Sequence, residues 1–168
     1  TANDLDGITG GIVTASIATD STVDSLATLT GTNNAYTITI AAADATGSTA
    51  AELTAIDNAT SVTVDVSAIT SIEGTYEEIT ALYGSSGVSG FGDESITITG
   101  GSLSVEEANA IDLLTTGVVT ASIATDSIVD SLATLTGTNN AYTITIAQAD
   151  ATGSTAAELT AIDNATTV

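Results

Sequence analysis

The 168-residue chain has 21 acidic residues and no Lys, Arg or His, a net charge of −21. Nothing in it neutralises a phosphate, which excludes nucleic acid and anionic membrane as partners, and no His or Cys is present to build an ordinary nucleophile–base pair. Apolar residues reach 43 % and charged ones only 12 %, too hydrophobic for an acidic disordered tail, and without Cys the fold has no disulfides.

Thr1–Gly11 (TANDLDGITGG) aligns, 106 residues on, with Glu107–Gly117 (EANAIDLLTTG), so the chain is read as opening within a helix that ends a preceding repeat. Asp4-Leu-Asp6-Gly7 resembles a fragment of a calcium loop. Its counterpart Ala110-Ile-Asp112-Leu113 lacks the pattern, and a calcium loop needs more ligands, so the segment is read as a solvated helix end.

Four strand-like runs follow: Val13–Ile17, Tyr36–Ile40, Val62–Val66 and Ile96–Thr99. Each alternates with period two and is rich in β-branched residues, the pattern of a half-buried strand. After each run a hydroxyl residue stands three positions before an acid: Ser21 and Asp24, Thr49 and Glu52, Thr75 and Glu78, Ser104 and Glu107. That spacing is a capping box, in which the hydroxyl accepts from the N3 amide and the acid reaches back to the cap amide. Apolar residues then recur three to four apart, as in Tyr76, Ile79, Leu82 and in Val105, Ala108, Ile111, Leu114. One apolar stripe per helix needs one sheet to lie on. Gly31, Gly84 and Gly117 supply helix stops. The third coil carries an insert, Ser85–Asp93, read as a protruding loop with Val88, Phe91 and Asp93 as its candidate contact residues.

Residues 11–62 return at 117–168 with four differences: Ile12/Val118, Thr22/Ile128, Ala42/Gln148 and Ser61/Thr167. Such a period marks a tandem array. Residues 1–10 are assigned to the end of one repeat, 11–116 to a complete repeat of four strand–helix coils, and 117–168 to the first half of the next. Strands alternating with helices imply parallel strands and right-handed crossovers. A doubly wound domain would make its strands apolar on both faces; these are apolar on one. The expected fold class is therefore α/β, a right-handed parallel β/α solenoid with one strand and one helix per coil and all helices on one face of a single sheet. Leucine-rich repeats are near in coil length, but their signature is missing. Ile38, Ile40, Val64, Val66, Ile96 and Ile98 should point inward, facing Leu53, Ile56, Ile79, Leu82, Ala108 and Ile111.

The outward residues form the candidate interaction face. One column is expected to read Thr14, Thr37, Thr63, Thr97, Thr120, Thr143, and a second Ser16, Thr39, Asp65, Thr99, Ser122, Thr145. Threonine is also a common exposed strand residue without any function. The functional reading is a lateral docking face for another copy, a glycan or a mineral. An ice-binding lattice is disfavoured because Asp65 interrupts it. The acid pairs Glu77-Glu78 and Asp93-Glu94 are read as solvated and as holding calcium or other divalent cations only diffusely. Asn58-Ala-Thr60 and Asn164-Ala-Thr166 match the glycosylation pattern. No catalytic or metal residues are assigned, no cofactor is expected, and the chain is read as not an enzyme.

The phrases LATLTGTNNAYTITI, STAAELTAIDNATSVTV and SVEEANAIDLLTTGVVTASI resemble the Thr/Ala/Asp-rich tandem repeats of giant bacterial surface proteins, in particular the swimming-associated giant cell-surface type of marine cyanobacteria. The resemblance implies secretion, residence at the cell surface or in a filament, and a structural or adhesive, adhesin-like role. It brings no catalytic residues. Expected partners are copies of the chain itself, laterally or end to end, with a glycan or a surface as the alternative and no membrane span. The alternative function is a binding module whose Thr/Ser lattice recognises a repetitive target: glycan, mineral or ice.

Overall fold

A computed structural model describes residues 1–18, 21–41, 47–125, 127–149 and 151–168. The protein is mixed α/β, and it divides into two compact units: Thr1–Glu73 with Glu77–Gly92, and Gly74–Tyr76 with Asp93–Val168.

The first unit starts with helix α1 (Ala2–Ile8), capped by Thr1 with Asp4 closing the box. Strand β1 (Thr14–Ser16) and helix α2 (Val23–Leu26) follow, then strand β2 (Ala35–Thr37), which lies parallel to β1. Strand β3 (Ser48–Thr49) leads directly into helix α3 (Ala50–Ala59). Two further short strands, β4 (Val64–Asp65) and β5 (Ser71–Gly74), precede helix α4 (Tyr76–Tyr83), and β6 (Val88–Ser89) comes after it. β3 pairs β5 and β4 pairs β6, both in parallel. The second unit contains strand β7 (Ser95–Leu103), helix α5 (Val105–Asp112), strand β8 (Val119–Ile123), helix α6 (Val129–Leu132), strand β9 (Ala141–Thr143) and helix α7 (Ala156–Ala165). β7, β8 and β9 are successive parallel neighbours.

One or two short strands separate successive helices, because the sequence switches from period-two runs to capped helices. Thr49 with Glu52, Ser104 with Glu107 and Thr155 with Glu158 form complete capping boxes. The first expected box is corrected: the cap of α2 is Thr22, not Ser21, and its hydroxyl accepts from the Ser25 amide. Ile128 stands at the equivalent position of the second copy, and α6 has no side-chain cap bond. The strand inventory is corrected too. Two additional strands, two-residue β3 and four-residue β5, form just ahead of helices α3 and α4, and the run expected at Ile96–Thr99 continues through Gly100 and Gly101 to Leu103.

The inward phase matches expectation. Ile38, Ile40, Val64, Val66, Leu53, Ile56, Ile79 and Leu82 are buried in the first unit, and Ile96, Ala108 and Ile111 in the second; Ile98 is only half-buried. Cores built mostly from Ile, Val, Leu and Ala leave most of the negative charge at the surface, where ions screen it. The chain is expected to melt at a higher temperature in seawater-like salt with calcium than in low salt with chelator. Equal melting temperatures, followed by circular dichroism, would contradict this electrostatic argument.

Candidate functional site

All twelve residues of the expected interaction face are exposed: Thr14, Ser16, Thr37, Thr39, Thr63 and Asp65 in the first unit, and Thr97, Thr99, Thr120, Ser122, Thr143 and Thr145 in the second. Their columns are corrected by the observed register. Ser16, not Thr14, lies opposite Thr37, and Ser122, not Thr120, lies opposite Thr143. Thr97 with Thr120 and Thr39 with Asp65 stand as expected. A two-residue slip leaves every side chain on its face, so alternation fixes the face and leaves the register open. The Asp65 carboxylate is occupied locally: it accepts from the Ser67 amide at 2.9 Å, a bond that holds its pKa below the ordinary range.

The loop expected to protrude does not do so as a whole. Val88 is buried and forms strand β6 opposite Val64. Phe91 is half-buried, its ring stacked on Tyr83 with centroids 4.2 Å apart, and Asp93 alone of the three is exposed. Glu94, read as a solvated acid, is buried at 2 % exposure. The strand alternation beginning at Glu94 carries it inward with Ile96, a phase hidden by the Gly- and Ser-rich stretch before it.

The structure reveals a second set of polar residues, at the corners where each helix gives way to the next strand. Asn34 and Asn140, each 2 % exposed, occupy equivalent corners. The Asn34 Oδ1 accepts from the Val13 amide at 2.9 Å and its Nδ2 donates to Asp6 at 2.9 Å. Asn140 repeats this with Val119 and Asp112, at 2.9 and 2.8 Å. Asn3 bonds the Thr28 carbonyl and the Thr30 amide; Asn109 bonds the Thr134 carbonyl and the Thr136 amide. Corner hydroxyls complete the set. Thr60, Ser85, Thr115 and Thr166 each accept from the amide two residues on. Thr60 donates back to the Tyr36 carbonyl, Thr115 to that of Glu94, Thr166 to that of Tyr142, and Ser85 to the Asp57 carboxylate. Each corner thus ties one segment to the strand–helix segment before it and satisfies polar groups that burial would otherwise orphan. The corner turn needs a left-handed backbone: Gly31 and Gly137 have φ of 85° and 80°, and Asn33 and Asn139 have 63° and 69°. Asparagine tolerates that region.

Sequence reading missed these corners, although a signal existed. Between Thr1–Gly10 and Glu107–Thr116 only four positions are identical: Ala2/Ala108, Asn3/Asn109, Asp6/Asp112 and Thr9/Thr115. Of these, Asn3, Asp6, Asn109, Asp112 and Thr115 make bonds to the neighbouring coil. The sequon residues belong here too. Thr60 is buried and its hydroxyl is engaged, while Asn58 and Asn164 are exposed near the ends of α3 and α7.

The carboxylates divide by chemistry. Glu52 and Glu158 are held below the ordinary range, first by the amides of Thr49 and Thr155. Asp24 is pushed up, first by its hydrogen bond to Glu52 and then by the charge of that neighbour. A carboxylate lowered on folding stabilises above its unfolded value, and that contribution disappears as pH falls through the folded value. Raised Asp24 acts in the opposite sense: its penalty at neutral pH is relieved as pH falls through its raised value. Thermal stability should therefore rise from neutrality toward the upper edge of the carboxylate range and fall below it as the caps protonate. A melting series that declines steadily from neutrality would overturn the Asp24–Glu52 repulsion.

Among the described residues, no group of three or more His, Cys, Asp or Glu side chains could hold a metal ion. None of their helices is long and apolar enough to cross a membrane. Comparison with protein-family models, with curated proteins and with solved structures found no match.

Proposed function

We propose that this chain is a structural, adhesive segment of a giant secreted array at a cell surface or in a filament, built as a right-handed parallel β/α solenoid that associates with copies of itself. The observation that carries this reading is the corner bonding. The Asn–Asp pair ties coil to coil at Asn34 and Asp6 and again, one repeat later, at Asn140 and Asp112. A bond that recurs with the sequence period lets an array lengthen without a new design at each step. Secretion and surface residence rest on the resemblance to giant surface-protein repeats. Divalent cations enter as diffuse screening of a chain that carries −21, and no catalytic step is assigned.

A second reading, a module that recognises a repetitive glycan, mineral or ice surface, draws on the exposed hydroxyls. The triple variant Thr37→Lys, Thr97→Lys, Thr143→Lys separates the two. All three positions are exposed, so the free energy of unfolding should change by no more than roughly 0.5 kcal/mol per substitution, as is typical of surface changes. Sedimentation velocity and electron microscopy should show concentration-dependent assembly of the parent chain and dispersed variant. A parent chain that stays monomeric while binding an immobilised glycan or an ice surface would favour the second reading.

A further inference from the structure

The chain has eight asparagines, and six of them serve the fold. Asn3, Asn34, Asn109 and Asn140 bond neighbouring segments through their side chains. Asn33 and Asn139 take the left-handed turn beside the buried pair. Asn58 and Asn164 do neither. They stand in the last turns of α3 and α7 and are exposed. Neither side chain bonds another described residue. These two, one repeat apart, are also the only asparagines in the chain followed by the Asn-Ala-Thr pattern.

Asn58 stays exposed even where the following segment has packed. Its neighbour on one side, Asp57, accepts from the Ser85 hydroxyl at 2.6 Å, and its neighbour on the other, Ala59, is buried. Helical side chains lean back over the residues three and four positions earlier. Here those are Ala55 and Thr54, and in α7 they are Ala161 and Thr160; all four are small and none is buried. A sugar ring on either asparagine Nδ2 therefore meets no large side chain of its own helix. The third residue of the pattern is placed in the opposite way. Thr60 is buried, and its hydroxyl accepts from the Tyr36 and Val62 amides at 3.0 and 3.1 Å and donates to the Tyr36 carbonyl at 2.8 Å. Thr166 likewise donates to the Tyr142 carbonyl at 2.8 Å.

We infer that Asn58 and Asn164 are N-glycan acceptors, modified before their segments fold, so that each repeat carries one sugar group on an outer helix face. The pattern supplies the acceptor amide and the hydroxyl that a transferase reads. Folding draws that hydroxyl inward and leaves the amide outside, so the modification is closed to the folded chain yet compatible with it. The donor is a sugar whose anomeric carbon bears a diphosphate, carried on a nucleotide or on a lipid. The asparagine Nδ2 forms the new N–C bond. The C–O bond to the diphosphate breaks, its electron pair leaves with the diphosphate, and Nδ2 gives one proton to a base of the transferase. The inference holds whether or not copies of the chain associate.

The test is mass mapping of the protein recovered from its native source. With no Lys or Arg, the chain is cut at Asp and Glu instead of by trypsin. Peptides holding Asn58 and Asn164 should carry sugar on the asparagine, and those holding Asn3, Asn34, Asn109 and Asn140 should carry none. A single hexose identifies the nucleotide-linked donor, and a longer sugar chain the lipid-linked one. Bare Asn58 and Asn164, or sugar confined to threonine hydroxyls, overturns the acceptor sites. The order of events is read by cell-free translation of the 168-residue chain with a sequon-reading glucosyltransferase and uridine diphosphate glucose. Enzyme present during synthesis should label both asparagines, and enzyme added after folding should label them about tenfold less or lower still, since the hydroxyl is reached only by local opening. Equal labelling overturns modification before folding. The labelled chain should melt at the same temperature as the bare chain, because both asparagines are exposed. A labelled chain that fails to fold overturns the outward placement of the sugar.

Discussion

Leu53→Ala should lower the free energy of unfolding by about 2–5 kcal/mol, the range for truncating a buried leucine. Leu159→Ala should cost less than about 1 kcal/mol, because an exposed side chain loses little transfer energy and leaves no cavity. The two leucines hold the same place in the same ten-residue helix sequence, AAELTAIDNA, at α3 and α7. Leu53 is 1 % exposed and Leu159 44 %. α3 buries Ala50, Leu53, Ile56 and Ala59, whereas α7 buries only Ile162 and Ala165. Local propensity and capping are identical, so the contrast isolates what neighbouring coils contribute. Denaturant melts of both variants, with amide exchange read separately in α3 and α7, measure it. Equal losses would mean that helix stability here is set within the helix and that stacking adds little.

The same pair of helices shows what a sequence does and does not carry. AAELTAIDNA announces its helix twice, through the Thr–Glu box and the apolar spacing, and both copies form it over the same ten positions. Which of its leucines is buried depends on what lies beyond it, and no local pattern reports that. Face assignment was legible for the same reason: period two sends Thr37 and Thr39 outward while Ile38 and Ile40 go inward. Register was not, since the slip that puts Ser16 beside Thr37 leaves both faces unchanged. Val88 was misplaced because β6 is only two residues long and set in Gly- and Ser-rich sequence, and Glu94 because it stands ahead of the alternating Ile96–Thr99 run, just after that Gly- and Ser-rich stretch. The corner asparagines were hidden by their chemistry. Asn34 follows Thr32 and Asn33 in what reads as an exposed polar turn, and only the tertiary hydrogen bonds to Val13 and Asp6 explain its burial.

Those corners carry the remaining large effect. Asn140→Ala should cost about 1–3 kcal/mol through the Val119 amide alone, the penalty for a buried donor left without its acceptor. Val119 is 0 % exposed, so water is poorly placed to replace the lost oxygen. Asp112 simultaneously loses the donor at 2.8 Å and keeps, among the described residues, only the Thr136 hydroxyl, at 3.1 Å, as a side-chain partner. Asn140→Asp should be worse than Asn140→Ala. It preserves an acceptor for Val119 but sets a second carboxylate against Asp112 in a chain with no cationic side chain to compensate. Asn139→Gly, one residue earlier, should be close to neutral, because Asn139 is exposed and its φ of 69° suits glycine at least as well. The ordering Asn139→Gly, Asn140→Ala, Asn140→Asp is therefore a graded test at adjacent positions, read as midpoint shifts and as the exchange rate of the Val119 amide. Asn34→Ala should repeat the result one repeat earlier through the Val13 amide, which is bonded at the same 2.9 Å. If Asn140→Ala leaves both the midpoint and the Val119 exchange rate unchanged, the corner bond does not hold coil to coil. Extension of the proposed array would then rest on apolar stacking alone.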